Sequence, residues 1–265
     1  MKFRLIVSDF DGTLGMSNDI SSENIKAISE FVKKGGKFAI CTGRPFTSIK
    51  DICDAYNLDV LTASYQGASI KEVTSGKALL IGGLEIDSAL SVIKSVLDAG
   101  ESPAVFIDDV LYYEGYCSYA ELYKKEDAVP KIQKDDLLTF VKELNKRVQK
   151  VVFHTEDNKV KGYRDTFQKA FPTLSVNSGG QGLVEFINPE YNKGESVRFL
   201  ANHYNIPLSE VMAVGDFNND FELVSGPWHG VAVGDGSPEL KKVAKEITVP
   251  FSEHPIKYLI EKYCL

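Results

Sequence analysis

Apolar runs and helical periodicity alternate along the first 63 residues of the chain. Leu5-Ile6-Val7 predicts a strand buried on both faces, as in a parallel sheet. Ser21 caps a predicted helix that ends at Gly35-Gly36. Strands over 38–41 and 60–63 and a helix over 47–56 follow. This βαβαβ order predicts a doubly wound sheet.

The pattern changes after residue 63. Two short apolar segments flank Ser75-Gly76 and predict a hairpin instead of another crossover. Helices are then predicted over 88–99, from Leu137 to Leu144 and up to Phe171, and strands over 104–107, 110–113, 151–153, 174–177 and 183–187. This order resembles an αββ unit repeated with an insert, mostly antiparallel. Residues 84–188 are therefore expected to form an inserted α+β domain within a core of residues 1–83 and 189–265.

Parallel alternation resumes in the last part of the chain. A helix is predicted from Lys193-Gly194, followed by strands over 211–214 and 231–233 and helices over 238–244 and 255–263. The predicted fold class is α/β: a Rossmann-like, doubly wound parallel sheet with an inserted α+β domain.

Composition narrows the class of partner. The 265 residues are 43% apolar and 25% charged, and the formal net charge is −7 without a Lys/Arg block, which argues against nucleic acid or an anionic membrane as a partner. A small-molecule partner is expected, and the oligomeric state stays open. The cysteines at 41, 53, 117 and 264 have no CxxC spacing, so they indicate neither a zinc site nor a disulfide framework. No apolar run has the length of a signal or membrane segment. A cytoplasmic location is expected.

The stretch with the clearest chemistry is Asp9-Phe10-Asp11-Gly12-Thr13, where a predicted strand meets a glycine turn. Open α/β sheets bind ligands outside the carboxyl ends of their strands. Acids two apart on a strand point the same way, so Asp9 and Asp11 are expected to converge on one metal or substrate group. A hard divalent cation, Mg²⁺ by preference, would offset the two charges and bridge to a phosphate. The alternative is that Asp-Gly-Thr is only a strand-ending turn.

Two more polar loops follow predicted strands. Thr42-Gly43-Arg44-Pro45 offers a hydroxyl and backbone N–H groups for phosphate oxygens, although an ordinary turn would have the same residues. Gly215-Asp216-Phe217-Asn218-Asn219-Asp220 is rich in oxygen ligands of the kind metals use, although Asn and Asp also form turns and helix caps.

Together, DFDGT, TGR, an isolated NKG lysine and GDxxND, in this order and spacing, resemble the haloacid dehalogenase superfamily. A second domain between the TGR and lysine motifs is similar to the Cof-type branch, whose members are mostly Mg²⁺-dependent phosphatases of small phosphorylated metabolites. The resemblance implies Asp9 as the nucleophile and Asp11 as the general acid/base. It implies that Mg²⁺ is held by Asp9, the backbone carbonyl of Asp11, and Asp216. Phosphate would be contacted by Phe10, Thr42, Gly43, Lys193 and Asn219, with Asp220 and Arg44 in support.

The resemblance therefore implies an Mg²⁺-dependent phosphomonoester hydrolase that acts on a small, sugar-phosphate-like metabolite through an aspartyl-phosphate. A phosphomutase would share the nucleophile but return the phosphoryl group, and a non-catalytic phosphate-binding protein would share the fold. The inserted domain would act as a mobile cap.

Four positions depart from the family pattern: Gln66, Phe217, Asp235 and His254. None removes a catalytic group, so they bear on substrate choice and on the geometry around the site. A cluster in the predicted cap is a candidate polar-aromatic pocket for a leaving group, with packing as the alternative. Its members are Tyr112, Tyr113, Tyr116, Tyr119, Tyr123, Asp108, Asp109 and Glu114.

Overall fold

The computed structural model describes residues 1–122, 128–178 and 182–265. The chain divides into two compact units. The first contains Met1–Arg44, Ile49–Leu79 and Asn192–Leu265, and the second contains Pro45–Ser48 and Leu80–Tyr191. That residues 84–188 act as an inserted cap domain stays a prediction.

The secondary structure follows the predicted alternation closely at both ends of the chain. Residues 1–81 contain β1 (Leu5–Ser8), β2 (Gly15–Met16), β3 (Asp19–Ile20), α1 (Ser22–Lys33), β4 (Lys37–Cys41), α2 (Phe46–Ala55), β5 (Leu61–Ser64), β6 (Ser69–Glu72) and β7 (Ala78–Ile81). Residues 86–187 contain α3 (Ile86–Asp98), β8 (Ala104–Ile107), β9 (Val110–Glu114), α4 (Ser118–Leu122), β10 (Lys131–Lys134), α5 (Leu137–Leu144), β11 (Lys150–His154), α6 (Asp157–Ala170), β12 (Ser175–Asn177) and β13 (Leu183–Ile187). Residues 193–263 contain α7 (Lys193–His203), β14 (Val211–Gly215), α8 (Phe221–Val224), β15 (His229–Ala232), α9 (Pro238–Val243), β16 (Glu246–Ile247) and α10 (Pro255–Tyr263).

The main sheet has eight strands in the order β16-β15-β14-β1-β4-β5-β6-β7. The first six are parallel to one another, and β6 pairs antiparallel to β5. From β1 the chain winds outward to β4 and β5, whereas from β14 it winds the other way to β15 and β16. The boundary between β14 and β1 is therefore a topological switch point, where α/β sheets form their ligand crevices. The predicted α/β doubly wound class is confirmed.

The second unit contains a six-stranded sheet in the order β10-β9-β8-β11-β13-β12. Only the pairing of β9 with β10 is parallel. Alternate side chains of β8, β11 and β13, such as Val105, Val151 and Phe186, pack with the apolar faces of α3, α5 and α6 in a buried cluster. Period-two strands and period-3.6 helices thus bury one common apolar layer.

The aromatic cluster of the second unit supports the packing alternative. Tyr112 lies opposite Val105 on the core-facing side of β9, and its ring centroid is 4.6 Å from that of Phe140. Tyr119 is buried edge-on against Phe106, and a carboxylate oxygen of Glu114 accepts from the Leu137 N–H at 2.8 Å. Tyr123 lies outside the described residues. These side chains serve packing and helix capping, which argues against one shared pocket.

Several short elements were not predicted: the two-residue strands β2, β3 and β16, helix α4 and strand β10. Each is too short for a period of 2 or 3.6 to stand out from the surrounding sequence. Within the described residues, no helix has the length and apolar character that crossing a membrane requires.

Candidate active site

Three polar loops leave the carboxyl ends of three neighbouring strands. Asp9 follows β1, Thr42 follows β4, and Asp216 follows β14. Because β1 pairs in parallel with both β4 and β14, these ends lie side by side at one edge of the sheet. The Asp9 N–H donates to the carbonyl of Val214 at 2.9 Å, which extends the β1–β14 pairing into the loop.

The loop after β1 turns tightly beneath Asp216. Its Phe10 carbonyl accepts from the N–H groups of residues 13, 14 and 15, and Gly12 has φ +77°. A Cβ on Gly12 would lie 2.5 Å from Asp216 Oδ2, so glycine is required for the positive φ and for the close approach. The Thr13 hydroxyl donates to Asp216 Oδ1 at 3.0 Å. The first loop therefore determines where the Asp216 carboxylate lies.

Lys193 is the first residue of α7. The preceding Asn192 caps this helix, its side-chain oxygen accepting from the Glu195 N–H at 2.9 Å. The Lys193 ammonium donates to Asp9 Oδ1 and to Asp220 Oδ1, each at 2.5 Å, and its side chain is only 1% exposed. Most lysines lie on the solvated surface, whereas Lys193 is buried. A single buried cation bridges two carboxylates.

Asp220 connects the lysine to the loop after β14. Its Oδ1 accepts from Lys193, and its Oδ2 accepts from the N–H groups of Asp216 at 3.0 Å and Phe217 at 3.1 Å. A fully buried carboxylate with both oxygens bonded in this way fixes the backbone of residues 216 and 217.

The cluster contains more negative than positive charge. Burial raises the pKa of Asp9 well above its ordinary value, the Asp220 charge adds to the rise, and Lys193 opposes it. Burial and the Asp220 charge likewise raise the pKa of Asp216 to about 6. Burial opposes the charged form of Lys193, but the Asp220 and Asp9 charges outweigh it and raise the lysine pKa. Three carboxylates share one ammonium, so another cation would stabilise their ionised forms.

The donor set fits a divalent metal. One carboxylate oxygen each from Asp9, Asp216 and Asp220 lie within 4.8 Å of one another. Both Asp220 oxygens are occupied, one by Lys193 and the other by the N–H groups of residues 216 and 217. Lys193 also takes one oxygen of Asp9, and Thr13 takes one oxygen of Asp216. The remaining oxygens of Asp9 and Asp216 suit a hard cation of the Mg²⁺ type.

The loop after β4 is held from two sides. The Thr42 N–H donates to the Ala63 carbonyl at 2.8 Å, and the Thr42 carbonyl accepts from the Gln66 N–H at 2.9 Å. A Cβ on Gly43 would lie 2.8 Å from Gln66 Nε2, so glycine lets the Gln66 amide cover this loop closely. The loop thus has the fixed backbone that an anion site of N–H groups needs.

Asp11 stands apart from the other acids. Its side chain is 47% exposed, and both of its oxygens accept from the Arg44 guanidinium, at 2.6 and 2.8 Å. The carboxylates of Asp9 and Asp11, predicted to converge, therefore have different partners. The Phe10 side chain is buried, so only its backbone remains for phosphate, and Asn219 is exposed on the turn before Asp220. The roles of all these residues stay predictions.

The four departures from the family pattern have distinct settings. Gln66 has φ 59° and covers Gly43, whereas the Phe217 side chain is 59% exposed beside Asp216. An Asp235 oxygen accepts from the Phe251 N–H at 3.0 Å, and His254, with φ 58°, precedes α10. Asp235 and His254 therefore shape the turns before α10, while Gln66 borders the Thr42-Gly43 loop and Phe217 follows Asp216.

Some site features could not be read from the sequence pattern. Pairing of β1 with β14 brings Asp216 close to Gly12 and within hydrogen-bond distance of the Thr13 hydroxyl. Thr13 stands inside the DFDGT motif, so a polar residue directly after the glycine turn was the signal available. Asn18, which accepts from Arg44 at 3.0 Å, gave no signal, because it lies in a hairpin too short to predict.

Comparison with known proteins agrees with this geometry. The sequence model of the haloacid dehalogenase-like hydrolases matches residues 6–260. The chain belongs to the haloacid dehalogenase-like hydrolase family, which confirms the resemblance drawn from the four motifs and the predicted class of enzyme.

Relatives align with the chain over almost its full length. The chain is 26% identical to "Putative phosphatase YxeH" of Bacillus subtilis, with 99% of each chain covered. It is 25% identical to 5-amino-6-(5-phospho-D-ribitylamino)uracil phosphatase YwtE of the same organism, with 98% of this chain and 97% of the relative covered. A haloacid dehalogenase-like hydrolase from Bacteroides thetaiotaomicron has the same fold, with a TM-score of 0.85 at 21% identity and coverage of 98% and 99%.

Proposed function

We propose that this HAD-type phosphatase is an Mg²⁺-dependent hydrolase of a small, sugar-phosphate-like monoester, with Asp9 as the nucleophile. The observation that carries the proposal is the buried bridge from the Lys193 ammonium to Asp9, at 2.5 Å, with the Asp216 carboxylate beside it. An ammonium in this position orients the Asp9 carboxylate for attack on phosphorus.

The reaction has two steps on this chain's own residues. An Asp9 oxygen attacks phosphorus while the bond to the leaving oxygen breaks, and Asp11, which enters this step protonated, gives that oxygen its proton. Asp11 then takes a proton from water, which attacks phosphorus and releases inorganic phosphate and the Asp9 carboxylate. Between the steps, the phosphoryl group is held on Asp9 as an acyl phosphate.

The remaining groups bind and neutralise the phosphate. The phosphate oxygens would be contacted by Lys193, the Thr42-Gly43 loop, the Phe10 backbone and Asn219. Asp220 would hold Lys193 in place, and Arg44 would hold Asp11. Mg²⁺, held by Asp9, Asp216 and the Asp11 carbonyl, would neutralise charge on the phosphate oxygens. The metal-type oxygen set of Asp9 and Asp216 supports this cofactor.

The substrate class rests on the relatives. The name of YwtE specifies a phosphate on a ribityl chain, that is, on a polyol. At 25% identity over nearly the whole chain, this supports a polyol or sugar phosphate as the class to test first. The cap role of residues 84–188, which the family resemblance implies, is part of this proposal.

The test traps the phosphoryl group on the enzyme. Three proteins are mixed with Mg²⁺ and 4-nitrophenyl phosphate and quenched in acid: wild type, Asp9→Asn and Asp11→Asn. The mass of each intact protein is then measured by mass spectrometry. We expect an adduct of one phosphoryl group on Asp11→Asn, because 4-nitrophenolate leaves without a proton while hydrolysis of the phosphorylated Asp9 lacks its base. Asp9→Asn should show no adduct and only background turnover. An adduct on Asp9→Asn would refute the nucleophile.

Released phosphate distinguishes the rival functions. A hydrolase forms one inorganic phosphate for each ester consumed, a mutase returns the phosphoryl group to product, and a binding protein releases none. Circular dichroism of the three proteins controls for folding.

A further inference from the structure

Arg44 has an unusually complete set of partners for a residue at the mouth of the site. Nε donates to Asp11 Oδ2 at 2.8 Å, and Nη2 donates to Asp11 Oδ1 at 2.6 Å. Nη2 also donates to the Ser17 carbonyl at 2.5 Å, and Nη1 donates to Asn18 Oδ1 at 3.0 Å. Four of the five guanidinium N–H groups are thereby used, so the orientation of the fork is fixed.

The base of the side chain is held equally well. The Arg44 N–H donates to the Thr42 hydroxyl at 3.2 Å, and the Arg44 carbonyl accepts from the Tyr65 N–H at 3.2 Å. The guanidinium carbon lies 4.8 Å from the centre of the buried Phe10 ring. Arg44 thus connects the loop after β4 with the loop after β1 and with the tip of the β2–β3 hairpin.

Asp11 depends on this residue for its position. Its carboxylate is half exposed, lies outside the cluster of Asp9, Asp216 and Asp220, and is bound in both oxygens by one guanidinium. A leaving group reaches phosphorus from solvent, so the acid that protonates it must stand on the exposed side of Asp9. An exposed side chain without such an anchor would sample several rotamers, and proton transfer needs heavy atoms within about 3 Å.

We propose that Arg44 is a positioning residue that holds Asp11 for proton transfer: in this step Asp11 carries the proton on one oxygen while Arg44 keeps its bond to the other, and the proton passes to the leaving group. The proposal rests on the proposed function, because it presupposes Asp11 as the general acid. Two other accounts of Arg44 predict different results. An ordinary exposed ion pair would contribute little to stability or turnover. An arginine that contacts phosphate directly would affect every ester alike.

The experiment compares two esters of nearly the same shape. Phenyl phosphate has a basic leaving group that needs a proton, whereas 4-nitrophenyl phosphate has a weakly basic one. The ratio of kcat/KM for the two esters measures general acid catalysis, because kcat/KM reports the steps through phosphorylation of Asp9. Wild type, Asp11→Asn, Arg44→Met, Arg44→Lys and the double variant Asp11→Asn/Arg44→Met are measured, with the inhibition constant of inorganic phosphate for each.

We expect Arg44→Met to lose about tenfold or more activity on phenyl phosphate relative to 4-nitrophenyl phosphate, as Asp11→Asn does. The double variant should equal Asp11→Asn, because Arg44 acts through Asp11. Arg44→Lys should restore part of the activity on phenyl phosphate relative to 4-nitrophenyl phosphate, because lysine keeps the positive charge but not the planar guanidinium that binds both Asp11 oxygens. Phosphate inhibition should stay within about twofold of wild type.

Arg4→Met is the matched control. It removes another arginine–carboxylate pair of the same unit, in which Arg4 Nε lies 2.8 Å from a Glu210 oxygen and both side chains are exposed. Its ratio should equal that of wild type.

Other outcomes distinguish a failure of the Arg44 role from a failure of the proposed function. Equal losses of Arg44→Met on both esters, no loss on either, or an additive double variant would overturn the positioning role. If Asp11→Asn itself leaves the ratio unchanged, the assignment of the acid fails and the role of Arg44 fails with it. A wild type that releases phosphate from neither ester would overturn the proposed function.

Discussion

The Lys193 ammonium lies 2.5 Å from Asp9 Oδ1, and both side chains are nearly inaccessible to solvent. The same ammonium is 2.5 Å from Asp220 Oδ1, whose side chain is fully buried. Burial of three charged groups costs desolvation energy, which their mutual attraction and the backbone N–H donors to Asp220 offset. The fold therefore depends on the lysine as much as the proposed chemistry does.

Lys193→Met should destabilise the protein strongly. Removal of one partner from a buried ion pair leaves uncompensated charge and costs about 3 to 5 kcal/mol. We expect a loss of this size in the free energy of unfolding in urea at neutral pH, together with loss of turnover. Lys50→Met is the control, because Lys50 pairs with Asp54 at 2.5 Å at an exposed position. Its effect should stay within about 1 kcal/mol. Equal effects of the two substitutions would contradict the buried bridge.

Stability without metal should depend on the titration of Asp216, whose pKa is raised to about 6. The folded protein holds this proton more tightly than the unfolded chain, where the pKa is about 3.9. The resulting stability is therefore full below about pH 4 and is lost as pH rises through about 6. Because Asp216 is partly exposed, we expect a loss of about 1 to 2 kcal/mol.

Asp216→Asn isolates this effect, since its amide oxygen still accepts from Thr13. The free energy of unfolding of wild type and variant is measured in a chelator between pH 4 and pH 8. The variant should gain stability relative to wild type as pH rises through about 6. A difference that stays constant over this range would show that Asp216 does not titrate in the folded protein as its surroundings predict.

Mg²⁺ should raise the melting temperature of wild type and not of Asp216→Ala. Binding to the folded state alone stabilises by about 2.7 kcal/mol at a hundred times the dissociation constant. Calorimetric titration and thermal melts measure the effect, and EDTA should abolish turnover reversibly. Asp54→Ala, which removes an exposed acid, serves as the control and should respond as wild type does. An unchanged Mg²⁺ response of Asp216→Ala would exclude Asp216 as a ligand.

Gly12→Ala should damage the site more than its backbone strain alone explains. Gly12 has φ +77°, and an added Cβ would lie 2.5 Å from Asp216 Oδ2. Gly76→Ala is a close match, with φ +69° and no heavy atom within 4 Å of the added Cβ. Each substitution should cost about 1 to 2 kcal/mol for the left-handed conformation. Gly12→Ala alone should also weaken Mg²⁺ binding and turnover. Full Mg²⁺ affinity in Gly12→Ala would show that the carboxylate of Asp216 can move without loss.

Strand ends were the most informative feature of the sequence. Asp9, Thr42 and Asp216 each follow a run of buried apolar residues, and the doubly wound order places β14, β1 and β4 side by side. Lys193 became a candidate only through resemblance to a family, because a lysine at the start of a helix is ordinarily exposed. Its burial depends on the packing of α7 and not on local sequence.

Side-chain partners were beyond the reach of the sequence. Asp9 and Asp11 are two residues apart, but β1 ends at Ser8 and the chain turns from Phe10 onward, so the strand geometry that would align them does not continue. Tyr112 shows the same limit in the second unit. Composition suggested a pocket, whereas pairing of β9 with β8 directs its ring toward Phe140.

The position of β1 between β4 and β14 has a consequence for biosynthesis. Leu5 is in register with Val211, and the Thr13 hydroxyl bonds to a carboxylate 203 residues further along the chain. On the ribosome, β1 is made long before β14, so one of its two edges stays unpaired until β14 has emerged. Closing so long a stretch of chain costs entropy and slows folding. The candidate active site is thus among the last parts of the molecule to assemble, and until then the nascent chain exposes an apolar strand edge prone to aggregation.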